Sequence, residues 1–207
     1  GFPGWHLECS VMSMKYLGET FDIHGGGIEN VFPHHECEIA QSETANERPF
    51  ARYWMHNNMV TVDGQKMGKS LGNFVTLKDA FKKFSPLTIR FFVLNTHYSS
   101  PINYSDEALD AANTGLERLH NTIRSLRERM ESSSGVEGLD TWKTKLESYK
   151  NTFEEAMNED FNTAEALAVL FNLSKEVNGL LSMDDEVSEG VLSEIDSFYR
   201  AYGGNVL

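Results

Sequence analysis

The sequence predicts two fold classes in one chain, an α/β part over about residues 1–104 and an all-α, antiparallel helical bundle over 105–207. Three observations predict it. Residues 20–43 run from an alternating apolar stretch through three glycines into a helix-like segment, the order of an α/β nucleotide-binding layer. Residues 106–202 carry four apolar seams at helical spacing, joined by short polar breaks. The charge also changes near the same boundary. Residues 1–105 hold 9 Lys/Arg against 10 Asp/Glu, whereas residues 106–207 hold 9 against 21. Six of the seven histidines, all but His120, lie in the first part.

In chain order, PGWHLEC places Cys9 on a strand near the start, where fraying is expected. TFDIH (20–24) alternates Phe21 and Ile23 as a strand, and Gly25-Gly26-Gly27 reads as a tight loop after it. Pro33 suits the first position of a helix, with HHECEIAQSE as its body. Val60 and Val62 alternate before Asp63-Gly64, a hairpin turn signal. Thr76 with Asp79, and Ser85 with Pro86, mark two further helix starts. Ser105 caps a long helix whose seam is Leu109, Ala112, Leu116, Leu119, Ile123, Leu126 and Met130. Trp142, Leu146, Tyr149 and Phe153 make the second seam. Asn162 and Glu165 form a capping box for the third, through Leu167, Leu170, Phe171, Val177 and Leu181. Val191, Ile195, Phe198 and Tyr202 make the fourth, stopped by Gly203-Gly204.

Composition narrows the function. With 207 residues, 40% hydrophobic, the chain can build real cores. No apolar run is long enough for a membrane span. Two cysteines, Cys9 and Cys37, favour a reducing cytoplasm over a disulfide framework. The net charge of −13, concentrated in the second half, makes that half a poor general phosphate binder.

Three clusters carry candidate chemistry. His34 and Glu38 stand at i, i+4 on one helix face, and Cys9 can join them from another segment. Mixed S, N and O donors suit zinc better than calcium or magnesium. A helix start with dipole-favoured acids and exposed histidines accounts for the same residues. The second cluster is GQKMGKSLGN (64–73), where Lys66, Lys69 and Ser70 sit among glycines. Two ammonium groups on a flexible loop can embrace a polyphosphate, although an exposed lysine turn reads the same. Gly64 and Gly68 are too close for a P-loop. The third is His24 with Gly25, Gly26 and Gly27, where a flat ligand or a phosphate could approach the backbone, or a plain turn could form.

The order PGWHLEC, HGGG, FPHHECEIAQ, KMGKSLGN resembles the class I cysteinyl-tRNA synthetases, and DFNTAEALAVLF (160–171) resembles their helical-domain segment. The resemblance implies a C-terminal half of a Rossmann-like catalytic fold (1–45), a connecting module with the KMSKS loop (46–104) and a helical bundle (105–207). It implies zinc on Cys9, His34 and Glu38, recognising the substrate thiolate. It further implies ATP, with Mg²⁺, bound by Lys69, Lys66 and Ser70, with His24, Gly25, Gly26, Gly27 and Glu29 around adenosine. Trp5 and His34 would face substrate, with His35 and Glu36 as groups behind the ligands or on the substrate side. Gly68 stands where the KMSKS signature has Ser, and Glu29 where an Asp is common. The implied partners are L-cysteine, ATP and tRNA-Cys, with a cytoplasmic monomer favoured. No His-x-Gly-His occurs, nor the family's fourth, cysteine ligand, so the chain is expected to be an internal piece, inactive alone. The alternatives are a mycothiol-pathway cysteine ligase and a non-catalytic synthetase paralogue.

Overall fold

A computed structural model describes residues 4–183 and 187–207. By compactness the chain forms two units, Gly1–Met67 with Tyr98–Ile102, and Gly68–His97 with Asn103–Leu207. This division cuts inside the 46–104 stretch that the sequence treats as one connecting module.

The first unit carries helix α1 (His6–Leu17), strand β1 (Phe21–Gly27), helix α2 (Glu36–Asn46) and strand β2 (Ala51–Asn57). β1 and β2 pair in parallel, with His24 opposite Trp54 and Gly26 opposite His56, and α2 is the crossover between them. Phe21, Phe50 and Ala51 are buried beneath this pair with Trp54 against them. β3 (Val60–Val62) and β4 (Gln65–Lys66) form the expected hairpin. Its Asp63 (φ 51°) and Gly64 (φ 75°) are both left-handed, as a two-residue hairpin turn requires.

Two local expectations are corrected and a third holds. Cys9 lies on a helix, α1, and not on a strand. HLECSVMSMKYL lacks period-2 alternation, and Ser10 is its one buried residue. Gly25 to Gly27 continue β1 and do not loop, because β2 supplies a parallel partner as far as Asn57. Pro33 opens the helical backbone as expected. The residue before a proline is driven to extended backbone, Phe32 adopts it (φ −133°, ψ 133°), and helical dihedrals run from Pro33 into the regular α-helix that begins at Glu36.

The second unit holds α3 (Leu77–Ala80), α4 (Pro86–Leu94), α5 (Asp106–Glu131), α6 (Leu139–Asn158), α7 (Thr163–Leu181) and α8 (Glu189–Phe198). The expected caps form. The side chains of Thr76, Ser85, Ser105 and Asn162 accept from the amides of Asp79, Thr88, Ala108 and Glu165. The seams meet in one core that includes Leu116, Leu126, Phe153, Leu173, Val177 and Ile195. The last helix ends at Phe198, earlier than expected, and Tyr199–Val206 form a wider helical turn carrying Gly203-Gly204.

Asp196, 5% exposed, accepts from Arg127 Nε at 2.7 Å and Arg200 Nε at 2.6 Å. Burial pushes its carboxyl up, but the hydrogen bonds and charges of Arg200 and Arg127 outweigh burial and hold it below the ordinary range. A lowered folded-state pKa contributes stability above the ordinary carboxylate pKa and loses it as pH falls through the lowered one. Asp196→Asn therefore lowers stability near neutrality by about 1–2 kcal/mol, discounted because both arginines remain partly solvated. Urea unfolding at a series of acidic pH values checks it, since the gap to wild type closes below the ordinary carboxylate range.

Candidate metal centre

Three elements of the first unit converge on Glu38. α1 brings Cys9, β1 brings His24, and the turn into α2 brings His34 one helical turn before Glu38. Glu38 is fully buried, which a lone carboxylate resists. Its Oε2 lies 2.6 Å from His24 Nε2. Its Oε1 lies 2.6 Å from His34 Nε2, yet the approach lacks hydrogen-bond geometry, and Oε1 has no hydrogen-bond partner among the described residues. Cys9, His34 and Glu38 offer ligand atoms within 4.8 Å of one another. His24, His35 and Glu38 make a second such group. An orphaned buried carboxylate oxygen facing a thiol and an imidazole is what a mixed-donor zinc site leaves when only protein atoms are considered. The residues fit the metal.

Surroundings tune the donors. Burial first, then the charge of Glu38 and a hydrogen bond to it, and last the charge of Glu8, push the Cys9 thiol up. His35 is buried and faces His56, Nδ1 to Nε2 at 2.7 Å. Burial holds its imidazole below the usual range, helped by His24, His56 and His34 and opposed by Glu38.

The glycines have a packing reason. A Cβ on Gly26 would stand 2.7 Å from His35 Cε1 and 3.1 Å from Asn30 Nδ2, and one on Gly27 would stand 2.7 Å from Glu29 Oε2. Gly26→Ala should destabilise the first unit by about 1–3 kcal/mol by displacing His35. Hydrogen exchange of the β1 and β2 amides reads this directly.

The remaining expected site residues lie as follows. Trp5 precedes α1 and is 82% exposed. Glu29 sits in a 3₁₀ turn (Ile28–Asn30), and its Oε1 is 3.9 Å from Lys66 Nζ. Lys69 and Ser70 occupy a 3₁₀ turn of the second unit, closed by Gly72 (φ 70°), with Lys69 Nζ 5.5 Å from the centre of the Phe74 ring. The Gly68 amide donates to Asn73 Oδ1 at 2.9 Å. Gly68 is extended (φ −160°), and a Cβ there would meet nothing closer than 3.9 Å, so the serine usual in KMSKS would fit.

The family model for the class I (C) tRNA synthetase catalytic domain matches residues 1–114. The chain belongs to the class I cysteinyl-tRNA synthetase family. The DALR domain model matches residues 152–207, so this synthetase chain joins a mixed α/β catalytic segment to a helical domain. The cysteine–tRNA ligases of Chlorobium chlorochromatii and Chlorobaculum tepidum are 55% and 54% identical to it across its whole length. That of Bacillus cytotoxicus is 45% identical over 98%. The chain spans 41% of the length of the first two and 44% of the third. A solved Agrobacterium radiobacter K84 LeuRS, in a ternary complex with tRNA and LeuAMS, shares the fold. Its TM-score is 0.69, at 23% identity, covering 89% of this chain and 25% of that one.

Sequence reasoning on this synthetase chain missed His6, Trp54 and His56 and left His35 behind the ligands or on the substrate side, with no partner named. His6 stands three residues before Cys9, a helical spacing that reading α1 as a strand concealed. His56 becomes a neighbour only through the β1–β2 register.

Proposed function

We propose that the chain is the central part of a cysteinyl-tRNA synthetase that activates L-cysteine with ATP and transfers it to the 3′ end of tRNA-Cys. The observation that carries this reading is the convergence of Cys9, His34 and Glu38, with Glu38 Oε1 buried and without a hydrogen bond. Zinc, when bound there, ranks a substrate thiolate above a hydroxyl, a one-atom distinction that an ordinary pocket makes poorly. Cys9 must lose its thiol proton to serve as a ligand, so zinc uptake releases that proton.

In the first step the cysteine carboxylate attacks the α-phosphorus of ATP. A new P–O bond forms, the bond to the bridging oxygen breaks, and pyrophosphate leaves. In the second, the 3′-terminal ribose hydroxyl of tRNA attacks the activated carbonyl, and AMP leaves. Lys69, aided by Lys66 and Ser70, meets the phosphate charge, with Mg²⁺ accompanying ATP. His24, Gly25, Gly26, Gly27 and Glu29 border the adenosine, and Trp5 and His34 lie on the substrate side. The fold reads as the second half of a Rossmann-like layer (1–45), a KMGKS-bearing connecting module (46–104) and an antiparallel bundle (105–207). The parent works as a cytoplasmic monomer, and the 207 residues alone are inactive.

ATP–pyrophosphate exchange tests the reading. The full-length parent should exchange with cysteine and not with serine, and the 207-residue chain should not exchange at all. Equal exchange with serine would sink the zinc role, and exchange by the isolated chain would sink the claim of inactivity.

A further inference from the structure

We infer that His6 and His24 are positioning residues for the metal: His6 sets the tautomer of His34, and His24 fixes the carboxylate of Glu38. The inference rests on the zinc reading above.

An imidazole ligand needs a bare lone pair on the nitrogen facing the ion, and the hydrogen bond of its other nitrogen decides which one is bare. His34 Nδ1 faces His6 Nδ1 at 2.9 Å, with the two rings edge-on, 4.7 Å between centroids. When His34 donates from Nδ1, its Nε2 carries only a lone pair, 2.6 Å from Glu38 Oε1. Two lone pairs so close repel. A cation on this side of the carboxylate removes the repulsion and uses both donors.

His24 completes the arrangement from β1. Its Nε2 holds Glu38 Oε2 at 2.6 Å, which turns Oε1 toward His34 and Cys9. The His24 ring is itself fixed, edge-on to Trp54 at 4.7 Å and to Phe21 at 5.5 Å. A ring so held sets the carboxylate plane without becoming a ligand. His6, three residues before Cys9, comes from the same helix as a ligand, so α1 supplies one ligand and the orienter of another. His24, expected beside the adenosine, also reaches Glu38.

The test uses variants that differ in reach. Gln places its amide nitrogen where His24 Nε2 stands, and Asn falls short. At position 6, Asn matches the Nδ1 position and Gln overshoots. Zinc affinity of the 207-residue chain is read by chelator competition, and Co²⁺ substitution reports Cys9 through its thiolate charge-transfer band. His24→Asn and His6→Gln should bind zinc about 10–100-fold more weakly. His24→Gln and His6→Asn should stay within about threefold of wild type. All variants that bind Co²⁺ should keep the thiolate band, since Cys9 is untouched. Wild-type affinity in all four variants, or equal losses at a position regardless of reach, would overturn the inference while leaving the zinc site standing. A wild-type chain without affinity for zinc would overturn the zinc reading and this inference together.

Discussion

Glu38→Gln should leave the chain without measurable zinc at concentrations that saturate wild type. The glutamine keeps the shape and can still meet His24, but it removes the anionic ligand at the centre of the cluster. The expected loss is at least about 100-fold in affinity. The metal-free variant should not be weakened, because exchanging a fully buried carboxylate for a neutral amide relieves a desolvation cost. Two melts separate these effects. Zinc should raise the wild-type midpoint through binding to the folded state and leave the variant's unchanged. A lower metal-free midpoint, or the same zinc-dependent rise in both proteins, would make Glu38 a structural acid.

Lys69→Ala in the full-length parent should lower the rate of ATP–pyrophosphate exchange by about 100- to 1000-fold, the scale for removing one charge-stabilising group from a transition state. Its 3₁₀ turn is exposed, so the substitution costs no packing. Zinc content should not change, which separates this defect from that of Glu38→Gln. A Lys69→Ala enzyme with normal exchange would return KMGKS to an exposed lysine turn.

Legibility followed the range of the interactions. Helix seams and caps are local, so Leu109 to Met130 and the Asn162–Glu165 box were readable, and the structure places them as expected. The Asp63-Gly64 turn is equally local. His34 and Glu38 were paired from their i, i+4 spacing, and Cys9 joined them as a third donor by chemistry. Where the outcome depended on a distant partner, reading failed. The three glycines became strand because β2 lies beside them, and Gly26 is bare because His35 packs on it. His6 and His56 gained their roles only when α1 met the α2 turn and β2 met β1. The helix start at Pro33 was local too, since an extended Phe32 and a proline at the first helical position agree.

The proposed zinc site of Cys9, His34 and Glu38 is open to direct measurement. Elemental mass spectrometry of the purified chain, beside His34→Ala, tests it most directly. Close to one zinc per chain is expected in wild type, with a loss in the variant. A wild-type chain without zinc, or a variant that retains it, would show that these three residues do not form the site.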